Sequence, residues 1–377
     1  MKRIIVALII FLIPFTIVKA VDLPVDITAD SAILVKKDNH EIIYSKNADK
    51  EEIMASLTKI MTAYTVINHV GDLNERIIIN ENDIGGLEGF TIVGLQPGDK
   101  VTYRDLLYGL ILHSGADCAQ ALALHVGGSK EAFKDLMAAD LNEIGLTKTQ
   151  FVDSYGGSDF NISTAREMYL LLDTALQNEN FKKIFCTNKY TMSNGLQVTN
   201  YTYVFAQFHG YDPKYILGNK SGYTPEAGLL LASLIKVNGV EYILIVCNSK
   251  ENQSKTTHVL DTYKIINYLI DQDYEYKTVL KKGHILEEIP VKDSTTGTYL
   301  AIVDQDINVY LNSEEESRIK IEKHLVKELD SNAKRGDPLG YVDVTLDGEI
   351  LKTYYLYLND ELFQYQKQSH LIVIVII

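Results

Sequence analysis

The sequence has no tryptophan and only three cysteines among its 377 residues. The cysteines, Cys118, Cys186 and Cys247, are odd in number and lack the spacing of metal ligands. This argues against a disulfide framework, and two of the three lie in apolar surroundings that favour buried free thiols. The missing tryptophan points to no particular function.

Positive charge is also scarce. Lys and Arg together number 36 against 50 Asp and Glu, which gives a formal net charge of −14. Because phosphate binding is driven by Lys and Arg, this balance argues against nucleic acid as a partner. A hydrophobic fraction of 46% with 23% charged residues is ordinary for a soluble globular protein, and the length suffices for two domains.

The N-terminal segment predicts export. Lys2 and Arg3 precede an apolar run, Ile4 to Val18, and small residues follow up to Ala20. This pattern is typical of a secretory signal peptide over residues 1–20, so we expect a protein of the cell envelope or the medium. An uncleaved anchor is the alternative, but the run is short for a membrane span. Removing the three basic residues of this segment changes the formal charge from −14 to −17.

The other end of the chain is an apolar tail, residues 369–377. Its last seven residues are all Leu, Ile or Val. Seven residues are too few to cross a bilayer as a helix, which needs about twenty. They also lack the polar face of an interfacial helix. A final strand and the start of a membrane anchor both remain open.

Two hairpins and several helices are predicted between these ends. Apolar runs at 31–35 and 41–44 flank a polar turn, and the runs 229–237 and 240–247 are joined by Asn238-Gly239, a strong hairpin signal. Helices are expected at 106–112, at 116–123 and at 258–269, with a further helix capped by Ser163 and carrying Glu167 in its first turn. This mixture predicts an α/β (α+β) domain.

The composition changes near residue 275. Short strands with frequent turns are expected at 287–291, 299–303, 340–344 and 350–357. This part contains no candidate nucleophile or metal cluster. The sequence therefore predicts a catalytic domain over 21–275 and a small all-β domain over 276–368.

The candidate nucleophile is Ser56, in the tetrapeptide Ser56-Leu57-Thr58-Lys59. Apolar residues behind it recur at roughly helical spacing, which predicts that Ser56 lies in the first turn of a buried helix. Residues three apart share a helix face, so the Lys59 amine would lie beside the Ser56 hydroxyl as a base. The spacing alone is weak, because Ser-x-x-Lys also occurs at 233–236, 317–320 and 331–334.

Two further stretches carry polar groups that suit the same chemistry. His113-Ser114-Gly115 interrupts two apolar helices, where Ser114 is either a residue of a cleft wall or a helix cap. Lys220-Ser221-Gly222-Tyr223-Thr224 offers a cation for a carboxylate and a glycine that lets a ligand backbone approach. Taken alone, this second stretch also fits a solvated lysine on an edge strand.

In this order the three motifs resemble those of the low-molecular-mass penicillin-binding proteins, specifically the serine-type D-alanyl-D-alanine carboxypeptidases. Their flanks at 55–62, 105–110, 163–168 and 220–228 are similar as well, and the resemblance covers about residues 25–275. It implies a catalytic domain of the β-lactamase/transpeptidase-like type, an antiparallel sheet with a helical subdomain. For the β module it implies a C-terminal β-sandwich.

The chain departs from the family pattern at two positions. Ser221 stands where the family usually has Thr, which keeps the hydroxyl. Ala116 stands where the second motif usually has Asn, so the function of that amide is absent or supplied elsewhere. Asp117 is adjacent, but one helical step turns it about a quarter-turn away.

The resemblance implies removal of the terminal D-Ala from peptidoglycan pentapeptide stems, with no metal or organic cofactor. The implied catalytic residues are Ser56 as nucleophile, Lys59 as base and Ser114 as the group that bridges Lys59 to the leaving amine and returns the proton. The implied substrate-binding residues are Lys220, Ser221, Gly222, Tyr223 and Thr224. The implied partners are peptidoglycan stem peptides and covalent β-lactam inhibitors, with possible membrane association through the C-terminus.

Three alternatives stay open at this point. A peptidoglycan D,D-endopeptidase has the same motifs, and a degenerate homologue with little activity would keep the fold. A class A β-lactamase has Ser-x-x-Lys and Lys-[Ser/Thr]-Gly motifs too, but it also needs a deacylating glutamate in a Glu-x-x-Leu-Asn motif. That motif is missing here, because Ala138 stands in place of the Glu before Leu141-Asn142.

Overall fold

A computed structural model of the chain describes residues 24–272, 275–292 and 297–359. The chain divides into two compact units. The first runs through Val237 and includes Glu241–Asn267, and the second comprises Asn238–Val240 and the residues from Tyr268 onward. The predicted signal peptide and the apolar tail lie outside the described residues.

The first unit is built on a five-stranded sheet. Its strands are β1 (Ser31–Lys36), β2 (Ile42–Lys46), β9 (Ile216–Thr224), β10 (Gly228–Val237) and β11 (Val240–Ser249), in the order β2-β1-β11-β10-β9. Both predicted hairpins are confirmed. Asn238 and Gly239 between β10 and β11 have positive φ of 49° and 85°, as a two-residue hairpin turn requires. Strand β9, which carries the Lys220 motif, lies at an edge of the sheet.

Helices and short strand pairs make up the rest of this unit. The helices are α1 (Thr58–His69), α2 (Glu81–Ile84), α3 (Tyr103–Leu112), α4 (Ala116–Gly127), α5 (Lys130–Ile144), α6 (Ala165–Ala175), α7 (Glu179–Phe185), α8 (Tyr201–Phe208) and α9 (Thr257–Asp271), whose last residues, from Tyr268, belong to the second unit. The short pairs are β3 (Glu51–Ile53) with β6 (Ile162–Thr164), β4 (Arg76–Ile78) with β5 (Lys100–Thr102), and β7 (Lys189–Thr191) with β8 (Gln197–Thr199). This is the antiparallel sheet with a helical subdomain that was expected.

Local polar groups determine where two of these helices begin. Thr102 caps α3 through a reciprocal capping box with Asp105. For α6 the prediction that Ser163 is the cap was wrong, because the Thr164 hydroxyl accepts the Glu167 N–H at 3.0 Å. Ser163 belongs to β6 instead, and the helix begins one residue later than the sequence suggested.

The core of the first unit lies between the sheet and the helices. Fully buried residues come from both, among them Ile60, Leu106, Leu122, Leu172 and Ile245. The prediction of free thiols is confirmed, since Cys118 and Cys247 are buried and unpaired and Cys186 is unpaired and half-buried.

The second unit is antiparallel β structure with its own core. Its strands are β12 (Glu275–Leu280), β13 (Ile285–Pro290), β14 (Thr298–Ile302), β15 (Ile307–Leu311), β16 (Ile319–Leu325), β17 (Pro338–Leu346) and β18 (Glu349–Tyr357), with one short helix, α10 (Ser313–Glu316). Strand β12 pairs with β15, β13 with β14, and β16-β17-β18 form a three-stranded sheet. The predicted all-β module is confirmed, although β12, β15 and β16 were not anticipated.

Within the described ranges, none of the helices combines the length and the apolar character needed to cross a bilayer.

Candidate active site

Ser56 lies in a single 3₁₀ turn, Ala55–Leu57, that runs directly into α1. The sequence predicted Ser56 in the first turn of the α-helix itself. The structure places it instead in the 3₁₀ turn immediately before that helix. Ala55 has a positive φ of 43°, which is unusual for a residue with a side chain. The strained residue is therefore Ala55, directly before the serine, and its surroundings must stabilise this conformation.

Lys59 meets Ser56 as predicted. Its amine lies 3.0 Å from the Ser56 hydroxyl and 2.5 Å from the carbonyl oxygen of Tyr155. The side chain is almost completely buried, and this burial lowers the pKa of Lys59 from 10.5 to about 7. A fully buried ammonium is costly, so near neutral pH a large fraction of this group is an uncharged amine that can accept a proton.

Ser114 and Lys220 form the second contact of the site. Ser114 connects α3 to α4 with a positive φ of 62°, and its hydroxyl accepts a 3.0 Å hydrogen bond from the Lys220 amine. The same amine donates to the Ser221 carbonyl at 2.6 Å. Lys220 is 1% exposed, and burial together with repulsion by Lys59 holds its pKa well below the usual range. The two buried amines thus disfavour each other's protonation.

Gly222 brings the edge strand against the nucleophile. A Cβ atom at this position would lie 3.2 Å from the backbone nitrogen of Ser56 and 3.4 Å from that of Leu57. Only glycine allows this approach without displacing the turn. The strand that carries Lys220 therefore passes directly beside the N–H group of the serine.

The remaining residues of the third motif are placed by their neighbours. The Thr224 hydroxyl accepts the Ala227 N–H at 3.1 Å and closes the turn towards β10. The Tyr223 hydroxyl donates to Glu251 and accepts from Lys255, both at 3.0 Å. Strand β9 is therefore fixed at its end by a turn and by an exposed polar cluster.

Ala116 has no polar side chain, and the carboxylate of the neighbouring Asp117 is bonded to another part of the backbone. Asp117 is buried, and its carboxylate accepts the N–H groups of Val93, Gly94 and Leu95 at 2.9–3.1 Å. These bonds hold the 93–95 segment against the start of α4. Asp117 therefore supports the second motif through the backbone and does not replace the missing amide.

Three residues at the site were not anticipated from the sequence. Asp153 and Tyr155 belong to a loop that reaches Lys59 through backbone atoms, and only the Gly156-Gly157 pair marks this loop in the sequence. His258 is a buried imidazole whose Nδ1 has no hydrogen-bond partner. Burial and the charge of Lys220 lower the pKa of His258 to about 4, which keeps the ring neutral. No local sequence signal identifies it.

Across the described residues no group of three His, Cys, Asp or Glu side chains comes together in a way that would hold a metal ion. The chemistry available at this site is that of a serine beside one buried amine, Lys59, with a second buried amine, Lys220, bonded to Ser114. Such an arrangement can activate a hydroxyl, stabilise an oxyanion and bind a carboxylate.

Two family profiles match the chain. The profile described as D-alanyl-D-alanine carboxypeptidase, peptidase family S11, matches residues 17–251. The profile of the penicillin-binding protein 5 C-terminal domain matches residues 274–362.

Individual relatives agree with these profiles. A D-alanyl-D-alanine carboxypeptidase of Bacillus subtilis is 24% identical over 331 residues, which are 86% of this chain and 83% of the relative. A D-alanyl-D-alanine endopeptidase of Pseudomonas aeruginosa is 27% identical over 252 residues, or 65% of this chain and 78% of the relative. The crystal structure of penicillin-binding protein 5 from Haemophilus influenzae has the same fold, with a TM-score of 0.64 and 23% identity over 90% of this chain and 98% of its own.

Proposed function

The chain belongs to the D-alanyl-D-alanine carboxypeptidase family, and we propose that it removes the terminal D-Ala from peptidoglycan pentapeptide stems through an acyl-enzyme on Ser56. The observation that carries the proposal is the buried Lys59 amine at 3.0 Å from the Ser56 hydroxyl. A serine is a weak nucleophile by itself and needs such a base within hydrogen-bond reach.

In the first step, neutral Lys59 takes the hydroxyl proton of Ser56. The serine oxygen then attacks the carbonyl carbon of the penultimate D-Ala. The Tyr155 carbonyl, 2.5 Å from the Lys59 amine, holds the base in place and stabilises the ammonium that forms. The N-terminus of α1 favours the negative charge that develops on the substrate.

The negative oxygen of the tetrahedral intermediate would be bound by the N–H groups of Ser56 and Tyr223. Gly222 supports this assignment because it lets β9 approach the Ser56 nitrogen closely. Each donor of this kind is typically worth about 3 kcal/mol of transition-state stabilisation.

The leaving D-Ala amine needs a proton, and Ser114 would deliver it. The earlier expectation linked Ser114 to Lys59, whereas the hydroxyl of Ser114 is bonded to Lys220 at 3.0 Å. The carboxylate of the bound substrate would favour the ammonium form of Lys220, whose proton can then pass through Ser114 to the amine. Water then attacks the ester of Ser56. Its proton passes through Ser114 to the now neutral Lys220 amine, the Lys59 ammonium returns its proton to the Ser56 oxygen, and the tetrapeptide is released.

The terminal carboxylate of the substrate would be held by Lys220 with the hydroxyls of Ser221 and Thr224. A carboxylate beside the two amines lowers the repulsion between them. The same recognition suits a β-lactam, which carries a carboxylate next to its reactive amide and would form a stable ester with Ser56.

The test is release of D-Ala from a pentapeptide ending in D-Ala-D-Ala. We expect release by the mature protein and none by Ser56→Ala. Absence of release from the unaltered protein would instead favour a degenerate homologue with little activity.

A D,D-endopeptidase is the second candidate, because a relative with 27% identity carries that name. It differs in cutting a cross-linked peptide dimer, so parallel assays on dimer and pentapeptide distinguish the two. We further propose that the protein acts outside the cytoplasm, where peptidoglycan lies, with the segment 1–20 as signal peptide. Membrane association through the tail 369–377 is part of this proposal, and cell fractionation with and without the tail tests it.

A further inference from the structure

A loop over residues 153–161 contacts both the nucleophile and the base, although it belongs to none of the three motifs. The carbonyl of Tyr155 accepts a 2.5 Å hydrogen bond from Lys59. Gly156, with φ +81°, lies so close to the peptide bond before Ser56 that a Cβ atom would be 1.8 Å from the Ala55 oxygen and 2.9 Å from the Ser56 nitrogen. The loop therefore acts on both catalytic residues through its backbone.

The carboxylate of Asp153 organises this loop. Its donors are the backbone N–H groups of Tyr155, Gly156, Gly157 and Ser158 and the side-chain amide of Asn161, at 2.6–3.2 Å. A charged acceptor shared by successive N–H groups fixes the direction of every peptide unit between them. The carbonyl of Tyr155 is one of these units.

The loop is also attached to the catalytic helix. The Thr62 hydroxyl of α1 donates to the Ser154 carbonyl at 2.6 Å, and the Met54 N–H donates to the Asn161 carbonyl at 2.8 Å. Asp153 thus lies at the centre of a loop that is hydrogen-bonded at two points, the Ser154 and Asn161 carbonyls, to the segment that carries Ser56.

We propose that Asp153 is a positioning residue for acylation of Ser56: it holds the Tyr155 carbonyl against the Lys59 amine and Gly156 against the serine turn. The inference rests on the proposed function, since it concerns the same serine and the same base. It identifies Asp153, which lies outside the three motifs, as a residue on which the geometry of the base Lys59 depends.

The charge of Asp153 has a separate, measurable effect. The charged and titratable groups that act on Lys59 are Asp153, Asp117 and the Cys118 thiol, all of which raise its pKa, whereas burial lowers it to about 7. The fourth neighbour is Lys220, whose own pKa is lowered by Lys59. Because Asp153 has the largest effect of the three that raise the pKa of Lys59, its neutralisation lowers that pKa further.

The diagnostic variant is Asp153→Asn. Its amide has one accepting oxygen, and its NH₂ group would face the donors of Ser158 and Asn161, so the loop loses part of its order. We expect the plateau rate of acylation by a reporter penicillin to fall about ten- to a hundredfold, as for a small misplacement of a catalytic group. We also expect the acid limb of the pH–rate profile to move to lower pH.

Asp159→Asn is the matched control. It removes the same charge from an exposed position of the same loop, and we expect an unchanged profile because exposed charges are screened. Thermal unfolding of each variant is measured alongside.

A second variant, Asp153→Glu, covers the case in which Asp153→Asn fails to fold. It keeps the charge and displaces the carboxylate, so it should lower the plateau rate of acylation while the acid limb of the pH–rate profile stays in place.

The possible outcomes distinguish a failure of the proposed function from a failure of the positioning role of Asp153. If the unaltered protein is not acylated, the proposed function is wrong. If the unaltered protein is acylated and Asp153→Asn has an unchanged plateau and acid limb, the positioning role is wrong. A lower plateau with an unmoved acid limb also overturns it, because a purely structural residue would give that result. If Asp153→Glu moves the acid limb, the role is likewise overturned.

Discussion

The amine of Lys220 lies 3.0 Å from the hydroxyl of Ser114, a residue 106 positions earlier in the chain. Ser114 reaches this position only with a left-handed backbone, at φ +62°. Non-glycine residues adopt this conformation at an energetic cost, which the surrounding structure offsets. The contact therefore joins the edge strand to the helical subdomain at a strained residue, as is common in functional sites.

If Ser114 returns the proton to the leaving amine, Ser114→Ala should lower kcat for D-Ala release by about a hundredfold or more, since general acid catalysis typically contributes that much. The hydroxyl is small, so folding should be unaffected. Steady-state kinetics on a pentapeptide checks this. A kcat within a few fold of the unaltered protein would remove Ser114 from the proton path.

The pH dependence follows from the buried base. Lys59 must be neutral to accept the proton, and its pKa is about 7. Acylation should therefore rise with pH through this region and level off above about pH 8, with a rate at pH 6 roughly tenfold below the plateau. Stopped-flow acylation by a reporter penicillin measures the profile. A rate that rises only above about pH 9, near the ordinary pKa of lysine, would contradict a base lowered by burial.

Gly222 offers a test of the close approach between β9 and the serine turn. In Gly222→Ala the new methyl carbon would lie 3.2 Å from the Ser56 nitrogen, tighter than an ordinary contact. We expect a loss of about tenfold or more in kcat, because a small displacement at the oxyanion site is costly. Gly71→Ala is the control, since a Cβ there meets nothing within 4 Å. Equal activity of both variants would show that the strand has room to move.

Asp261 allows a prediction about stability. Its carboxylate is fully buried and accepts the N–H and hydroxyl of Thr28, both at 2.9 Å, and the N–H of Ala29 at 3.0 Å. Asp261→Ala leaves these donors without a partner and should cost about 3 kcal/mol of unfolding free energy. Denaturant titration measures the unfolding free energy of this variant. The control is Asp271→Asn, which removes an exposed carboxylate from the same helix. A loss no larger than that of the control would show that water replaces the carboxylate.

Much of this architecture is predictable because its signals are local. The Asn238-Gly239 turn and the pairing of Ser56 with Lys59 each depend on residues a few positions apart. Periodicity and turn chemistry are enough to identify them.

The parts that were missed depend on long-range hydrogen bonds. Asp261 binds Thr28 across 233 positions, and Asp153 acts on Lys59 through the carbonyl of another residue. A carboxylate that accepts backbone N–H groups leaves no periodic pattern, because any residue type supplies the donor. The error at the start of α6 is of a different kind, since Ser163 and Thr164 are both suitable caps.

The central claim is that Ser56 is a nucleophile that forms a covalent acyl-enzyme. The protein without residues 1–20 is incubated with penicillin, digested with a protease and examined by mass spectrometry. We expect one penicilloyl adduct on the peptide that contains Ser56 and none in Ser56→Ala. An unlabelled Ser56 peptide, under conditions that label a control carboxypeptidase, would contradict it.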